Sequence, residues 1–427
     1  MTDLLIKNIK LLCNDGNLRL KDVYISNEKI IDIKNNIRSN SYDQILDAKK
    51  NIMIPSGIDT NVHISNMNNK EEWYNCSCSA IAGGITTIIT QQEENASIYD
   101  EKTFDLINNY AKSRSIIDYG INGGLSNNLH DINNLYKKGI FGIGEINIRK
   151  ENLLSKFENL KRYLIEIRKH KLLLCISSNN DLYNKKNIFN SNLKLQSSMI
   201  YDNYEFEEIY QFLKINNNIN KYKENTKLHF CSLNTEKSLI YILSQKYASS
   251  LYQITCDINL FQLLFNQINQ VNHIFKNKYQ IEFFLNNLKY IDIISSGSIL
   301  KGNDSYLSKE QDFSHIELTI PLMLYLVHKN YITLNDVIRL ISFNPSKIFN
   351  IKNKGTILKN YDADLLIYNP KNIQKIKSEN LYSKCQWTLY KDIFCIFPEI
   401  TISRGEIIWM DKQIITKKGR GHLIQRG

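Results

Sequence analysis

The sequence predicts an α/β protein: a parallel (β/α)₈ barrel, the TIM barrel architecture, carrying a small β domain formed by both termini. Three observations predict it. The first fifty residues alternate in a β manner, as in "DLLIKNIKLL" and "LRLKDVYISNEKIIDIK". From Pro55 the texture changes to short apolar runs separated by longer helical stretches. After Asn344-Pro345 the β texture returns in "GTILKNYDADLLIYNP" and "EITISRGEIIWMDKQII".

At the N-terminal end, Asn14-Asp15-Gly16 and Ser26-Asn27 supply the turns between strands. "IMIPSGIDTNVHIS" then reads as a buried strand entered from a Pro-Ser-Gly turn. Next, "GGITTIITQ" precedes the helical "EKTFDLINNYAKSRS", and "GIFGIGEINI" precedes "ENLLSKFENLKRYLIEIRKH". "KLLLCISS", "TKLHFCSL", "LYQITCDIN" and "LKYIDIISSG" follow. Continuous apolar strands divided by helices belong to a parallel sheet covered on both faces. About seven or eight such units suit a closed barrel. "NNNINKYKENTK" is expected to be a mobile loop. The two β tails have no partner of their own, and a short sheet alone is marginal. They are expected to pair, dividing the chain into 1–55 and 346–427 in the β domain and 56–345 in the barrel.

Composition excludes several classes. With 427 residues and 43% apolar content, a sizeable core is available. No run of eighteen uncharged apolar residues occurs, and "MTDLLIKNIKLLCNDG" has charges where a signal peptide has its apolar region. A soluble cytoplasmic protein is expected. The net charge of +11 comes from scattered Lys rather than a basic block, so no nucleic-acid partner is expected. The eight cysteines contain no C-x-x-C pair. Cys175, Cys231 and Cys256 lie in apolar runs, where they act as small buried hydrophobes.

Four stretches, in order, resemble the cyclic amidohydrolase family of dihydroorotase, dihydropyrimidinase (hydantoinase) and allantoinase. "IPSGIDTNVHIS" is similar to the family's first barrel strand, with its His-x-His. "AIAGGITTII" is similar to its second strand. "NPSKIFNI" with "KGTILKNYDADLLIYNP" is similar to its return into the β domain. "ITISRGEIIWMDKQIITKKGRGHLIQR" is similar to the hydantoinase tail. The resemblance implies a barrel with a β-sandwich made by both termini. It also implies two divalent metals whose shared hydroxide attacks a cyclic amide, and an aspartate that moves the proton.

The ligand positions that the resemblance implies are mostly altered. The two first-strand histidines fall on Asn61 and His63, and only His63 is kept. The carbamylated lysine falls on Gly144, with Glu145 beside it as a substitute bridge. Strand pleating turns neighbours to opposite faces, so Glu145 is expected to point outward unless the strand is bulged. The next two histidines fall on Ile176 and Ser232, and the aspartate on Ser296. These positions are expected to meet at the C-terminal ends of the barrel strands. His63 is the only retained ligand, and a zinc site needs about three. Asp59, deeper in the strand, is read as a structural hydrogen-bonding residue.

Other readings are weaker. His229 and Cys231 share a face and could form a base and nucleophile, but such a dyad usually needs a third group to orient the base, and buried structural roles are expected. His130, His170, His273, His315, His328 and His422 show no ligand spacing and are expected at the surface or at caps. Cys76 and Cys78, two apart on a helix, do not share a face.

Three functions follow. The first is a non-catalytic homologue acting as a structural or scaffolding subunit, in a homo-oligomer or with aspartate transcarbamoylase of pyrimidine biosynthesis, with no cofactor. The second is an active amidohydrolase using zinc with His63 and Glu145. The third is a small-molecule binder in the emptied barrel mouth. "LHFCSLNTEKSLIYI" leans to dihydroorotase, and the tail leans to hydantoinase.

Overall fold

The computed structural model describes residues 3–38, 42–64, 70–91, 98–126, 128–148, 157–178, 194–219, 226–248, 253–260, 278–300, 315–383, 388 and 390–427. Two compact units are present. Unit 1 comprises Met1–Ile89, Asn109–Gly120 and Ser298–Gly427, and unit 2 comprises Thr90–Asn108 and Ile121–Gly297.

The strands run along the chain as follows. First come β1 (Leu4–Leu12), β2 (Leu18–Ser26), β3 (Lys29–Lys34), β4 (Gln44–Asp47) and β5 (Ile52–Pro55). Then come β6 (Gly57–Ile64), β7 (Ile85–Thr90), β8 (Asp118–Ile121), β9 (Gly142–Asn147) and β10 (Leu173–Ser177). These are followed by β11 (Lys227–Phe230), β12 (Ile254–Asn259), β13 (Ile293–Ser295) and β14 (Ser298–Leu300). The last are β15 (Leu365–Tyr368), β16 (Gln374–Lys375), β17 (Phe394–Cys395), β18 (Ile400–Ser403), β19 (Glu406–Met410) and β20 (Gln413–Ile414).

In unit 1, strands from both chain ends form one nine-stranded sheet in the order β20-β19-β18-β15-β5-β1-β2-β3, with β4 also on β1. The join is antiparallel, with Leu365 opposite Pro55 and Ile367 opposite Met53. One face buries Leu4, Ile6, Ile9 and Leu11 of β1 with Val23, Met53, Leu365 and Ile402. Strict alternation could not place both Ile6 and Ile9 on that face. A register shift between them, with Asn8 at φ 56°, inserts the extra residue that does so. Each such buried side chain contributes about 1.5–3 kcal/mol. A second sheet of this unit has the order β14-β6-β7-β8, with β14 and β6 parallel.

A buried ionic knot ties unit 1 together. Lys354 Nζ reaches Asp118 at 2.9 Å and Asp362 at 3.4 Å, and also pairs with Asp364. Burial alone would lower the Lys354 pKa, but the three carboxylates raise it overall. The chain end lies along β8: Tyr119 N–H donates to His422 O, and Ile424 N–H donates to Tyr119 O, both at 2.9 Å.

Unit 2 is a five-stranded sheet in the order β13-β12-β11-β10-β9 with every neighbouring pair parallel. Helices Leu129–Lys138, Phe157–Lys169, Lys194–Ile219, Glu236–Ala248 and Lys278–Asn286 alternate with these strands. The loop expected at 216–227 begins later than its Asn-rich composition implies. Asn216 is fully buried and the helix runs to Ile219. Residues 220–225 lie outside the described residues. Among the described residues, no helix is long and apolar enough to cross a membrane.

Candidate functional site

The densest group of chemically active side chains lies in unit 2, on β10, β11 and β12. His229 and Cys231 are two apart, so the pleat places them on one face. Their donor atoms and an Asp257 oxygen all lie within 4.8 Å of one another. The three residues are 1%, 3% and 0% exposed. His229 Nε2 is 3.0 Å from Asp257 Oδ2, and its Nδ1 is 2.9 Å from Thr255 Oγ1. Burial alone would lower the His229 pKa, but hydrogen bonding and charge from Asp257 raise it overall.

Asp257 Oδ1 accepts the Ser232 N–H at 2.7 Å and the Ser295 hydroxyl at 3.0 Å. Cys175 faces His229 across the β10–β11 ladder. Asn122 Nδ2 lies 2.9 Å from Gln91 Oε1 and 3.8 Å from Cys175 Sγ. Burial pushes the Cys231 thiol pKa well up, and the neighbouring Cys175 and Glu145 raise it further.

Asp257 escapes the sequence reading, as does its link to His229. The signal is present in "QITCDIN": a charged residue inside an apolar parallel strand is almost never fully buried without a partner. Strand order, which supplies that partner, is not encoded locally.

At Glu145 the strand is bulged, the condition under which the side chain is not expected to point outward. Leu174 pairs with Ile143 and Ile176 with Ile146, so β9 carries one extra residue at Gly144-Glu145. The bulge resets the pleat, and the Glu145 charge acts on the Cys231 thiol.

The ligand positions divide between the units. In unit 1, His63 is half-buried and pairs with Ile299 in the β6–β14 ladder, and Asn61 is buried. Asp59 Oδ1 accepts the Asn61 N–H at 3.2 Å, a local backbone contact. In unit 2, Gly144 has φ 131°, and a Cβ there would lie 2.3 Å from Cys175 O. Ile176 is fully buried beside Phe230. Ser232 Oγ lies 3.3 Å from Asn259 Oδ1, and Ser296 is buried.

The residues present do not fit the metal pair of the resembled family. No lysine side chain can leave the backbone at Gly144 without a clash. Ile176 offers hydrocarbon where a donor is needed. Ser232 and Ser296 are neutral hydroxyls, poor replacements for imidazole and carboxylate. Among the described residues, the three-donor group of His, Cys, Asp or Glu is the deeper one at His229, and it does not include His63.

Of the other histidines, expected at the surface or at caps, His315 is half-buried against Tyr390, burial pushes its pKa down to about 3, and its carbonyl accepts the Leu318 and Thr319 N–H groups at 3.0 Å just before the helix Thr319–His328. Glu317, two residues on, is buried and accepts the Tyr382 N–H. His273 lies outside the described residues. Leu260, just after β12, is buried, and Phe261 also lies outside the described residues.

Residues 301–402 match the model of the Amidohydrolase family. A dihydroorotase of Methanosarcina mazei is 31% identical over 456 residues, spanning 100% of this chain and 98% of that protein. One of Methanosarcina acetivorans is 30% identical over 462 residues, spanning 100% and 96%. Among solved structures, the L-hydantoinase (dihydropyrimidinase) of Arthrobacter aurescens superposes with a TM-score of 0.81 at 19% identity, covering 100% of both chains. The dihydropyrimidinase of Brevibacillus agri gives 0.80 at 18% identity, over 99% of this chain and 98% of that one.

Proposed function

The chain belongs to the cyclic amidohydrolase family, and we propose that within it the chain is a non-catalytic, dihydroorotase-like homologue serving as a structural or scaffolding subunit. The single observation carrying this reading is the donor chemistry at the family's ligand positions, where His63 alone is retained. Without a metal there, an attacking water keeps a pKa near 15.7 instead of about 7. The hydroxide available near neutral pH is then lower by roughly eight to nine orders of magnitude.

The partner class is a second copy of the chain or an aspartate transcarbamoylase, in the cytoplasm and within pyrimidine biosynthesis. The family resemblance is the support for that choice. The barrel over 56–345 and the β domain of 1–55 and 346–427 belong to the same proposal, supported by the alternation of parallel strands with helices and by the shared terminal sheet.

One observation favours an active enzyme instead: β9 is bulged at Gly144-Glu145, so the pleat no longer turns Glu145 outward. A carboxylate there could replace the lost carbamate. Turnover of dihydroorotate, dihydrouracil, hydantoin and allantoin, assayed with added zinc or manganese, separates the two. The expected result is no hydrolysis by the wild type or by His63→Ala. Metal-dependent turnover that His63→Ala abolishes would establish the active reading. Co-purification followed by mass analysis tests the scaffold role. Recovery of the chain as a monomer with no transcarbamoylase would count against it.

A further inference from the structure

We propose that unit 2 holds one structural zinc-class divalent cation, bound by Cys175, His229, Cys231 and Asp257. None of these is a ligand position of the resembled family, and the inference does not depend on whether the protein is catalytic.

The donor set is the first reason. Two thiols, one imidazole and one carboxylate suit zinc, which takes tetrahedral nitrogen, sulfur and oxygen shells. Distance is the second. His229 Nε2 and Asp257 Oδ2 are 3.0 Å apart, and Cys231 Sγ is within 4.8 Å of both. A tetrahedral zinc sets its donors about 3.3–3.8 Å apart, so shifts of about an ångström complete the shell. Cys175 supplies the fourth donor from the neighbouring strand, where it sits opposite His229 in the parallel ladder.

Orientation is the third reason. Thr255 Oγ1 directs its proton to Leu228 O at 3.3 Å and so accepts from His229 Nδ1 at 2.9 Å. That tautomer leaves Nε2 as the metal-facing atom. Asp257 Oδ1 is occupied by the Ser232 N–H and the Ser295 hydroxyl, leaving Oδ2 on the same side. Ligands with their far atoms held in this way are the arrangement that supports a metal centre. The proton shared by Nε2 and Oδ2 is the one a cation would displace.

Near-complete burial makes the site closed. His229, Cys231 and Asp257 are each at most 3% exposed. Four protein donors leave no open position for water, so the cation would brace three adjacent strands and not activate a nucleophile.

The test uses the full chain, loaded with zinc and passed through gel filtration. One equivalent of zinc should remain. X-ray absorption of the wild type should show two sulfur neighbours at about 2.3 Å. With cobalt(II) in place of zinc, a thiolate-to-metal band should appear and lose about half its intensity in Cys175→Ser and in Cys231→Ser. It should be unchanged in His63→Ala. Retention below a tenth of an equivalent, an all-nitrogen-and-oxygen shell, or a band altered by His63→Ala and by neither cysteine variant would each overturn the site. The absorption measurement needs no variant, so a misfolded serine mutant leaves the test intact.

Discussion

Burial raises the Glu317 carboxyl pKa to about 8, despite the backbone N–H groups of Tyr382 and Ser383, which favour its charge. The Tyr382 N–H lies 3.1 and 2.9 Å from its two oxygens. An acid raised in the folded state binds its proton there more tightly than in the unfolded chain. Its contribution to stability is therefore complete below the unfolded value near 4.5 and is lost as pH rises through about 8. The slope in that window is at most about 1.4 kcal/mol per pH unit. Urea midpoints between pH 5.5 and 8.5 should fall for the wild type and flatten for Glu317→Gln; parallel curves would remove Glu317 as the cause. The environment of this residue is not readable from "HIELTI", because the backbone that encloses it comes from a segment more than sixty positions later. By contrast, the donor chemistry at Asn61, Ile176 and Ser232, the positions implied by the resemblance, is legible residue by residue, since it is a property of the side chain itself.

At the scale of elements, the strands and the pairing of the two β tails were legible because alternation is local, whereas bulges and registers were not. The shift between Ile6 and Ile9 and the one at Gly144-Glu145 each depend on a neighbouring strand. The second of these is the bulge on which the expected direction of Glu145 depends. The Lys354 knot has the same character, joining the end of a helical turn to β8 and to the approach of β15. Removing the cation leaves Asp118, Asp362 and Asp364 crowded and underpaired. Lys354→Met is expected to cost about 3–5 kcal/mol, read by chemical denaturation. Asp118 also accepts the His422 N–H at 3.1 Å. Faster hydrogen exchange at the amides of His422 and Ile424 should accompany the loss. A variant within 1 kcal/mol of the wild type, by the same ~3–5 kcal/mol standard, would show that the knot is not holding this segment.

At the scale of the whole molecule, the sheet of unit 1 sets an order of events during synthesis. Asn51 and Glu399 are hydrogen-bonded across 348 positions, and Lys29 pairs with Asp362 across 333. On a ribosome, β1 to β5 emerge first and must await β15 and β18. At 5–20 residues per second that interval is on the order of 20–70 s. Throughout it, β5 presents an unpaired edge on the side later taken by β15, an open template for another nascent chain. Chains stalled near residue 360 should therefore be cut by protease within residues 4–64, while chains released after residue 427 resist. Equal resistance in the stalled chain would mean that the early strands find a temporary cover.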